Sequence, residues 1–324
     1  GRKLRYPVQM KNQILALAGG VGGAKLALGL YKTLYPNQLT IVVNTGDDEE
    51  FHGLKISPDL DTVMYTLAGI YDNTSGWGLK DETFNTLKML KTYGAATWFN
   101  LGDKDLATHI ERTRLIRMGL TLSQVTNQLC KKLGVHPVIV PMSDNSVRTI
   151  AKTNKGNLTF QEYFVKYQCK PTIKGLEFKG AEQAKMAPEF MESLNTADAI
   201  ILCPSNPLLS LSPILSVPGV RNLLKSFSGP RVAVSPIVAG KALKGPAAKM
   251  FAELGMEVSC VEIANFLKDI CDILVIDNSD SHLASKINAL GLKAAVTNTI
   301  MNTDADKTHL AEYVLSLIDN GTNN

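Results

Sequence analysis

An α/β fold, doubly wound around a mostly parallel, Rossmann-like sheet with a helical insertion and a small β-hairpin subdomain, is what this sequence predicts. Three observations carry it. The apolar run Ile14-Leu15-Ala16-Leu17-Ala18 ends in glycines and leads into a pattern of helical period from Ala24 to Leu34. A second apolar run, Thr40-Ile41-Val42-Val43-Asn44, follows Pro36-Asn37 and completes a βαβ unit. From Ala199 onward, short apolar runs again alternate with helical stretches.

Residues Gly1 to Gln13 are basic and polar and read as an N-terminal arm. After the second strand an acidic loop leads to Pro58-Asp59-Leu60-Asp61, which opens a helix with Asp59 as the expected N-cap. Helical patterns continue to about residue 134, so an insertion of about 60–134 interrupts the alternation; Thr121-Leu122-Ser123-Gln124 in it has the spacing of a capping box. Val138-Ile139-Val140 returns to strand. Val147 to Lys152, a turn at Asn154-Lys155-Gly156 and Leu158 to Phe164 predict a hairpin subdomain of about 145–180. Strands at Ala199-Ile200-Ile201-Leu202-Cys203, Val232-Ala233-Val234, Ile273-Leu274-Val275-Ile276 and Ala294-Ala295-Val296, a helix at Ala247 to Leu254 and a last helix at Leu310 to Ile318 complete one domain over 14–324.

With 324 residues, 45% of them hydrophobic, the chain has enough apolar surface for a sizeable core. Its 34 basic and 30 acidic residues are interspersed, and a formal charge of +4 without a basic block disfavours nucleic acid as a partner. No apolar run approaches the ~20 residues that span a bilayer, and no secretory signal opens the chain, so a cytoplasmic protein is expected. The five cysteines are odd in number and form no C-x-x-C pair, and His52, His136, His282 and His309 lack metal-ligand spacing.

Gly19-Gly20-Val21-Gly22-Gly23-Ala24-Lys25 lies between strand and helix, where glycines admit a ligand to the backbone amides and the helix N-terminus favours an anion. It matches neither G-x-G-x-x-G nor the Walker pattern. Asn44-Thr45-Gly46-Asp47-Asp48-Glu49-Glu50 starts at the carboxyl end of the second strand; Asp47 or Asp48, with Asp59 or Asp61, is placed to hold Mg²⁺ beside substrate phosphates. Trp77 and Trp98 sit in polar, glycine-rich contexts suited to a planar ring, and His109 and Arg112 fall three apart on one helix. Loops at Pro141-Met142-Ser143-Asp144, Pro204-Ser205-Asn206-Pro207 and Ser235-Pro236-Ile237 offer small polar groups at strand ends.

The ordered set of the glycine segment, Asn44-Thr45-Gly46-Asp47-Asp48, Pro58-Asp59-Leu60-Asp61-Thr62, Trp98 to Ala107 and Pro204-Ser205-Asn206-Pro207 resembles the 2-phospho-L-lactate transferase family of deazaflavin coenzyme biosynthesis over nearly the whole chain. This chain departs from that family's usual glycine loop in having Ala18, Val21 and Ala24. The resemblance implies a phosphotransferase that moves a phospholactyl or phosphoenolpyruvyl group from a lactyl or enolpyruvyl diphosphoguanosine donor to the ribityl hydroxyl of the deazaflavin Fo, releases GMP and uses Mg²⁺. It implies catalytic roles for Asp48 and Asp61 and metal binding by Asp47, Asp48 or Asp59. It further implies contacts to Fo or phosphate from Asp61, Trp98, Asn100, Lys104 and Asp47, and to the nucleotide or its phosphates from Gly20, Gly22, Gly23, Lys25, Ser205 and Asn206. The motifs do not separate metal ligand from base, nor the lactyl from the enolpyruvyl donor.

The alternative is a non-catalytic nucleotide-sugar-binding regulator of the same fold; the segments Pro58 to Thr62 and Trp98 to Ala107 favour the transferase. An NAD-dependent dehydrogenase has only a broken glycine fingerprint behind it. A homodimer is the assembly expected for an enzyme of this size.

Overall fold

The computed structural model describes residues 12–74, 78–136, 138–242 and 247–321, so residues 1–11 of the expected arm and Trp77 lie outside the described residues. The first unit is as expected: β1 (Ile14–Ala18), α1 (Gly20–Thr33) and β2 (Leu39–Val43), with β1 and β2 parallel. The glycine segment is a helical turn rather than a loop, because α1 begins at Gly20 and only Gly19 precedes it. Two short strands then form a hairpin, β3 (Glu49–Phe51) and β4 (Leu54–Ile56), and the insertion continues as α2 (Pro58–Ala68), α3 (Asn85–Thr92), α4 (Asp103–Arg117) and α5 (Leu122–Lys132).

Helix α2 starts differently from the sequence expectation. Ser57 occupies the N-cap position and Pro58 the first turn, where its missing N–H and fixed φ cost nothing. Asp59 is thereby inside the helix and buried. The capping box at α5 forms as expected, with Thr121 and Gln124 each bonding the other's backbone.

Strand β5 (Ile139–Pro141) adds to β2, and the expected hairpin is a three-stranded antiparallel sheet of β6 (Arg148–Thr153), β7 (Gly156–Thr159) and β8 (Ile173–Lys179) in the order β7-β6-β8. The chain continues through α6 (Pro188–Thr196), β9 (Ala199–Leu202), α7 (Ser212–Ser216), α8 (Val220–Lys225), β10 (Arg231–Val234) and a tight hairpin of β11 (Ile237–Val238) and β12 (Lys241–Ala242). Helices α9 (Ala247–Glu253) and α10 (Cys260–Leu267), β13 (Ile273–Asp277), α11 (Ala284–Ala289), β14 (Lys293–Thr297) and α12 (Asp304–Gly321) follow.

The central sheet has the order β14-β13-β10-β9-β1-β2-β5, and every pairing in it is parallel. Parallel strands are covered on both faces, which is why they read as unbroken apolar runs. In β1, Leu15 and Leu17 enter the core shared with β6–β8 and α9 to α11, while Ile14, Ala16 and Ala18 enter the opposite core with α1, α2 and α12. From β1 the chain first winds outward through β2 to β5, then returns to β9 on the other side of β1. The winding therefore reverses between β1 and β9, the place where open α/β sheets leave a crevice at their carboxyl edge. Among the described residues no helix is long and apolar enough to cross a membrane.

Helices α1 and α12 approach closely at Gly29, where an added Cβ would overlap the Lys307 carbonyl oxygen. Gly29→Ala should therefore lower stability by about 2 kcal/mol, the usual scale for forcing a methyl into a packed contact. Urea unfolding of parent and variant reads this, and an unchanged midpoint would refute the contact.

Candidate active site

Two clefts open at the carboxyl edge of the sheet. The first lies at the reversal between β1 and β9 and is lined by Gly19, Gly20, Gly22 and Lys25 from the start of α1, by Pro204 to Pro207 after β9, and by Ile237, Phe251 and Met301. Its floor is backbone. A Cβ on Gly22 would stand 2.9 Å from the Pro204 carbonyl oxygen, and Gly20 has φ +64°, a conformation that favours glycine. Gly23 packs on Ala18 and does not line the cleft. Ser205 donates to the Cys203 carbonyl at 3.3 Å, and Asn206 Oδ1 accepts the amides of Leu208 and Leu209, so Asn206 caps the turn that walls the cleft.

The second cleft is lined by Thr45, Asp48 and Glu49 after β2, by Lys55 and Ser57, by Arg112 and Ile116 of α4, and by Asp144 to Arg148 after β5. Between the clefts stands an acidic wall. Asn44 Nδ2 donates to Asp59 Oδ2 at 3.0 Å and, more weakly, to Asp47 Oδ1 at 3.4 Å, while the position of a Gly19 Cβ is 3.1 Å from Asp59 Oδ2.

Burial sets the chemistry of this wall. Desolvation, followed by the charges of Asp59 and Asp48, pushes the Asp47 carboxyl well above the ordinary carboxylate range, and its hydrogen bond with Asp59 adds to the rise. Asp59 is raised by burial as well, with the bonds from Asn44, Asp47 and the Gly20 backbone pulling it back. Asp48 is pushed well up by burial and drawn back by Ser57 Oγ, 2.8 Å from its Oδ2, and by Arg112. Its Oδ1 has no hydrogen-bond partner among the described residues.

Behind Asp48 lies a buried ionic network. Arg112, 2% exposed, bonds Asp61 through Nη2 and the Lys55 carbonyl through Nη1 at 3.2 Å, with His109 Nδ1 3.3 Å from Nη1. The guanidinium is a donor only, so His109 Nδ1 accepts and Nε2 carries the hydrogen toward Asp105 Oδ2 at 3.1 Å. Tyr65 donates to Asp105 at 2.6 Å. Burial raises Asp61 and disfavours the Arg112 cation, yet their mutual charge leaves Arg112 holding its proton more tightly than usual. The five buried side-chain atoms without a partner among the described residues are Thr45 Oγ1, Asp48 Oδ1, Asp61 Oδ2, Arg112 Nε and Thr149 Oγ1, and all belong to this region.

The sequence-predicted residues separate into three groups. Gly20, Gly22, Lys25, Ser205 and Asn206 meet in the first cleft, and Asp48 faces the second. Asp61 lines neither cleft, because it is the counter-ion of Arg112. Trp98, Asn100 and Lys104 also line neither. Trp98 packs edge-on against Phe51 with the Lys166 ammonium 5.8 Å from its ring centre, and Lys104 Nζ is held by the Lys80 carbonyl at 2.9 Å. Among the described residues, Asp47, Asp48 and Asp59 do not bring one ligand atom each within 4.8 Å of one another. The group of three described side chains that does so, with ligand atoms within 4.8 Å of one another, is Asp61, Asp105 and His109, and donors already engage it. Sequence reasoning missed Tyr65, Asp105, Arg148 and Gln161; only the four-residue spacing of Asp105 and His109 signalled a pair.

The model of the family described as 2-phospho-L-lactate transferase CofD matches residues 14–315. A phosphoenolpyruvate transferase of Kitasatospora aureofaciens is 38% identical over 315 residues, covering 95% of this chain and 98% of the relative. A 2-phospho-L-lactate transferase of Methanococcoides burtonii is 36% identical over 307 residues, covering 95% and 100%. A solved structure of a UPF0052 family member from Bacillus halodurans has the same fold, with a TM-score of 0.63 at 15% identity over 95% of this chain and 100% of that one.

Arg112→Met should cost about 3–5 kcal/mol, because it strands the buried Asp61 charge. Without its cation Asp61 keeps a raised proton affinity, so the native state holds a proton that the unfolded state releases above the ordinary carboxylate range. The deficit should thus shrink as the pH falls toward that range and widen as it rises. Denaturant titrations across pH check this; a deficit independent of pH would assign the loss to packing alone.

Proposed function

The chain belongs to the 2-phospho-L-lactate transferase family, and on that premise we propose that it moves a phospholactyl or phosphoenolpyruvyl group from a lactyl or enolpyruvyl diphosphoguanosine donor to the terminal ribityl hydroxyl of Fo, releasing GMP. The observation that supports this reading is the pair of clefts on either side of one acidic wall. A transfer needs two substrates to meet at one reacting atom, whereas a module that only binds a nucleotide has no use for the second cleft.

In this reading the donor's base lies on the apolar walls of Ile237, Phe251 and Met301, and its diphosphate at the N-terminus of α1, where Gly20 and Gly22 leave the backbone open. Fo enters the second cleft with its terminal hydroxyl toward Asp48. The hydroxyl oxygen attacks the phosphorus that carries the three-carbon group. The bond from that phosphorus to the bridging oxygen breaks, and GMP leaves with the electron pair. Asp48 Oδ1, without a partner among the described residues, receives the hydroxyl proton; burial makes Asp48 a better proton acceptor than an exposed carboxylate, and the Ser57 hydroxyl and Arg112 hold that rise back. Asp61 acts on this step only through Arg112.

Asp47 and Asp59 would hold Mg²⁺, since they present hard oxygens whose mutual repulsion a divalent cation would relieve. Bound there, the ion supplies charge neutralisation for the diphosphate.

Fo fluorescence should report saturable binding, strengthened by a guanosine diphosphate ligand, and incubation with each donor should yield GMP and a coupled Fo product by mass. Failure to bind Fo under any condition would sink the reading. Turnover should vanish in excess chelator and return with Mg²⁺; full activity in chelator would remove the metal. Asp48→Asn should lower kcat by about 10²-fold or more, the usual scale for a lost general base, with unfolding unchanged. Parent-like turnover in that variant would move the proton elsewhere.

A further inference from the structure

We propose that Gln161 is a positioning residue for this transfer, acting through the sheet β6–β8, which clamps the backbone that carries Asp47 and Asp48. The rate arm of the test rests on the transferase reading; the clamp itself does not.

The acidic loop starts as a turn held by its own groups, with the Gly46 amide on Asn44 Oδ1 at 2.7 Å and the Asp48 amide on the Thr45 carbonyl at 3.2 Å. These bonds leave the Gly46 and Asp47 carbonyls to partners outside the loop. Both partners come from the β6–β8 unit: the Thr149 amide donates to Gly46 O at 2.7 Å and Gln161 Nε2 donates to Asp47 O at 2.9 Å. A third tie, Arg148 to Glu49 at 3.0 Å, follows immediately. The loop has no slack against this unit, because a Cβ on Gly46 would stand 2.7 Å from Thr149 Oγ1 and 2.8 Å from Pro213 Cβ.

Gln161 is 4% exposed, unusual for a glutamine, and a buried amide is tolerable only when bonded. It directly precedes a π-helical turn, Glu162–Lys166, a feature frequent at functional sites. It lines neither cleft, and its Nε2 donates to main chain rather than to a carboxylate. What it holds is the carbonyl of the peptide between Asp47 and Asp48. Rotation of that peptide swings both side chains, one of them in the wall and one facing the second cleft.

The test compares parent, Gln161→Met and Gln161→Glu, the last keeping the shape while removing the amide donor. Lys152→Ala, on the exposed side of β6, is the control. In both Gln161 variants kcat should fall about 10- to 100-fold, as expected for reacting groups displaced by about an ångström, with KM for donor and Fo nearly unchanged. Deuterium exchange should quicken in the 44–50 peptide and nowhere else, while the midpoint of unfolding stays close to the parent's. Parent-like kcat with parent-like exchange in Gln161→Met would overturn the proposal. So would a loss that tracks a lowered unfolding midpoint and faster exchange throughout. If the parent transfers nothing, the functional reading fails, and exchange in the 44–50 peptide still decides whether Gln161 holds the loop.

Discussion

Arg112 is a cation with almost no access to water, and finding it counter-charge fixes much of what surrounds the second cleft. Its guanidinium draws Asp61 from α2, the Lys55 carbonyl from β4 and His109 from its own helix to one place. Helix α4 would otherwise be a largely polar helix, with Glu111, Arg114 and Arg117 on its outer side. The pair also bears on Asp48, whose proton affinity burial raises and the Ser57 hydroxyl, with this cation, draws back. A buried ion pair is weak evidence for net stability, since desolvation offsets the attraction. Its value here is orientation: the fork of Arg112 admits one arrangement of α2 against α4.

Topology supplies the second constraint. Because the winding reverses between β1 and β9, loops from the early and late halves of the chain face each other across β1. The early half brings carboxylates after β2 and in α2; the late half brings the Pro204 to Pro207 turn and apolar walls from β11, α9 and the Met301 loop. Charge and hydrophobic surface therefore reach the crevice from opposite directions. A diphosphate carrying an aromatic base needs both, which is why the proposed donor suits this edge.

The sheet was legible in the sequence because buried parallel strands are continuous apolar runs, and β1, β2, β5, β9, β10 and β13 read that way, while β14, at the sheet edge and only partly buried, showed through Ala294-Ala295-Val296. The third strand of the small sheet, β8, escaped because Ile173 to Lys179 is half exposed and carries lysines and a glutamate. The start of α2 was misread because Asp59 looks like a cap, whereas Ser57 holds that position and its hydroxyl is spent on Asp48. Of the site, the glycines and the acidic residues showed as motifs. Gln161 and Arg148 did not, because they act on the acidic loop from about 100 residues further along the chain and no local period marks a residue whose partner is a distant backbone carbonyl.

The first cleft has a floor made of main chain, with Gly22 pressed against the Pro204 carbonyl and Gly20 in a left-handed turn. Main-chain groups are the same whatever the side chain, so a ligand that engages them sees a surface that point substitution can block but hardly retune. An inhibitor built on a diphosphate isostere would meet this invariant floor. Escape from it would have to come through the walls, at Ile237, Phe251 or Met301, and there each change would also reshape the seat proposed for the donor's base.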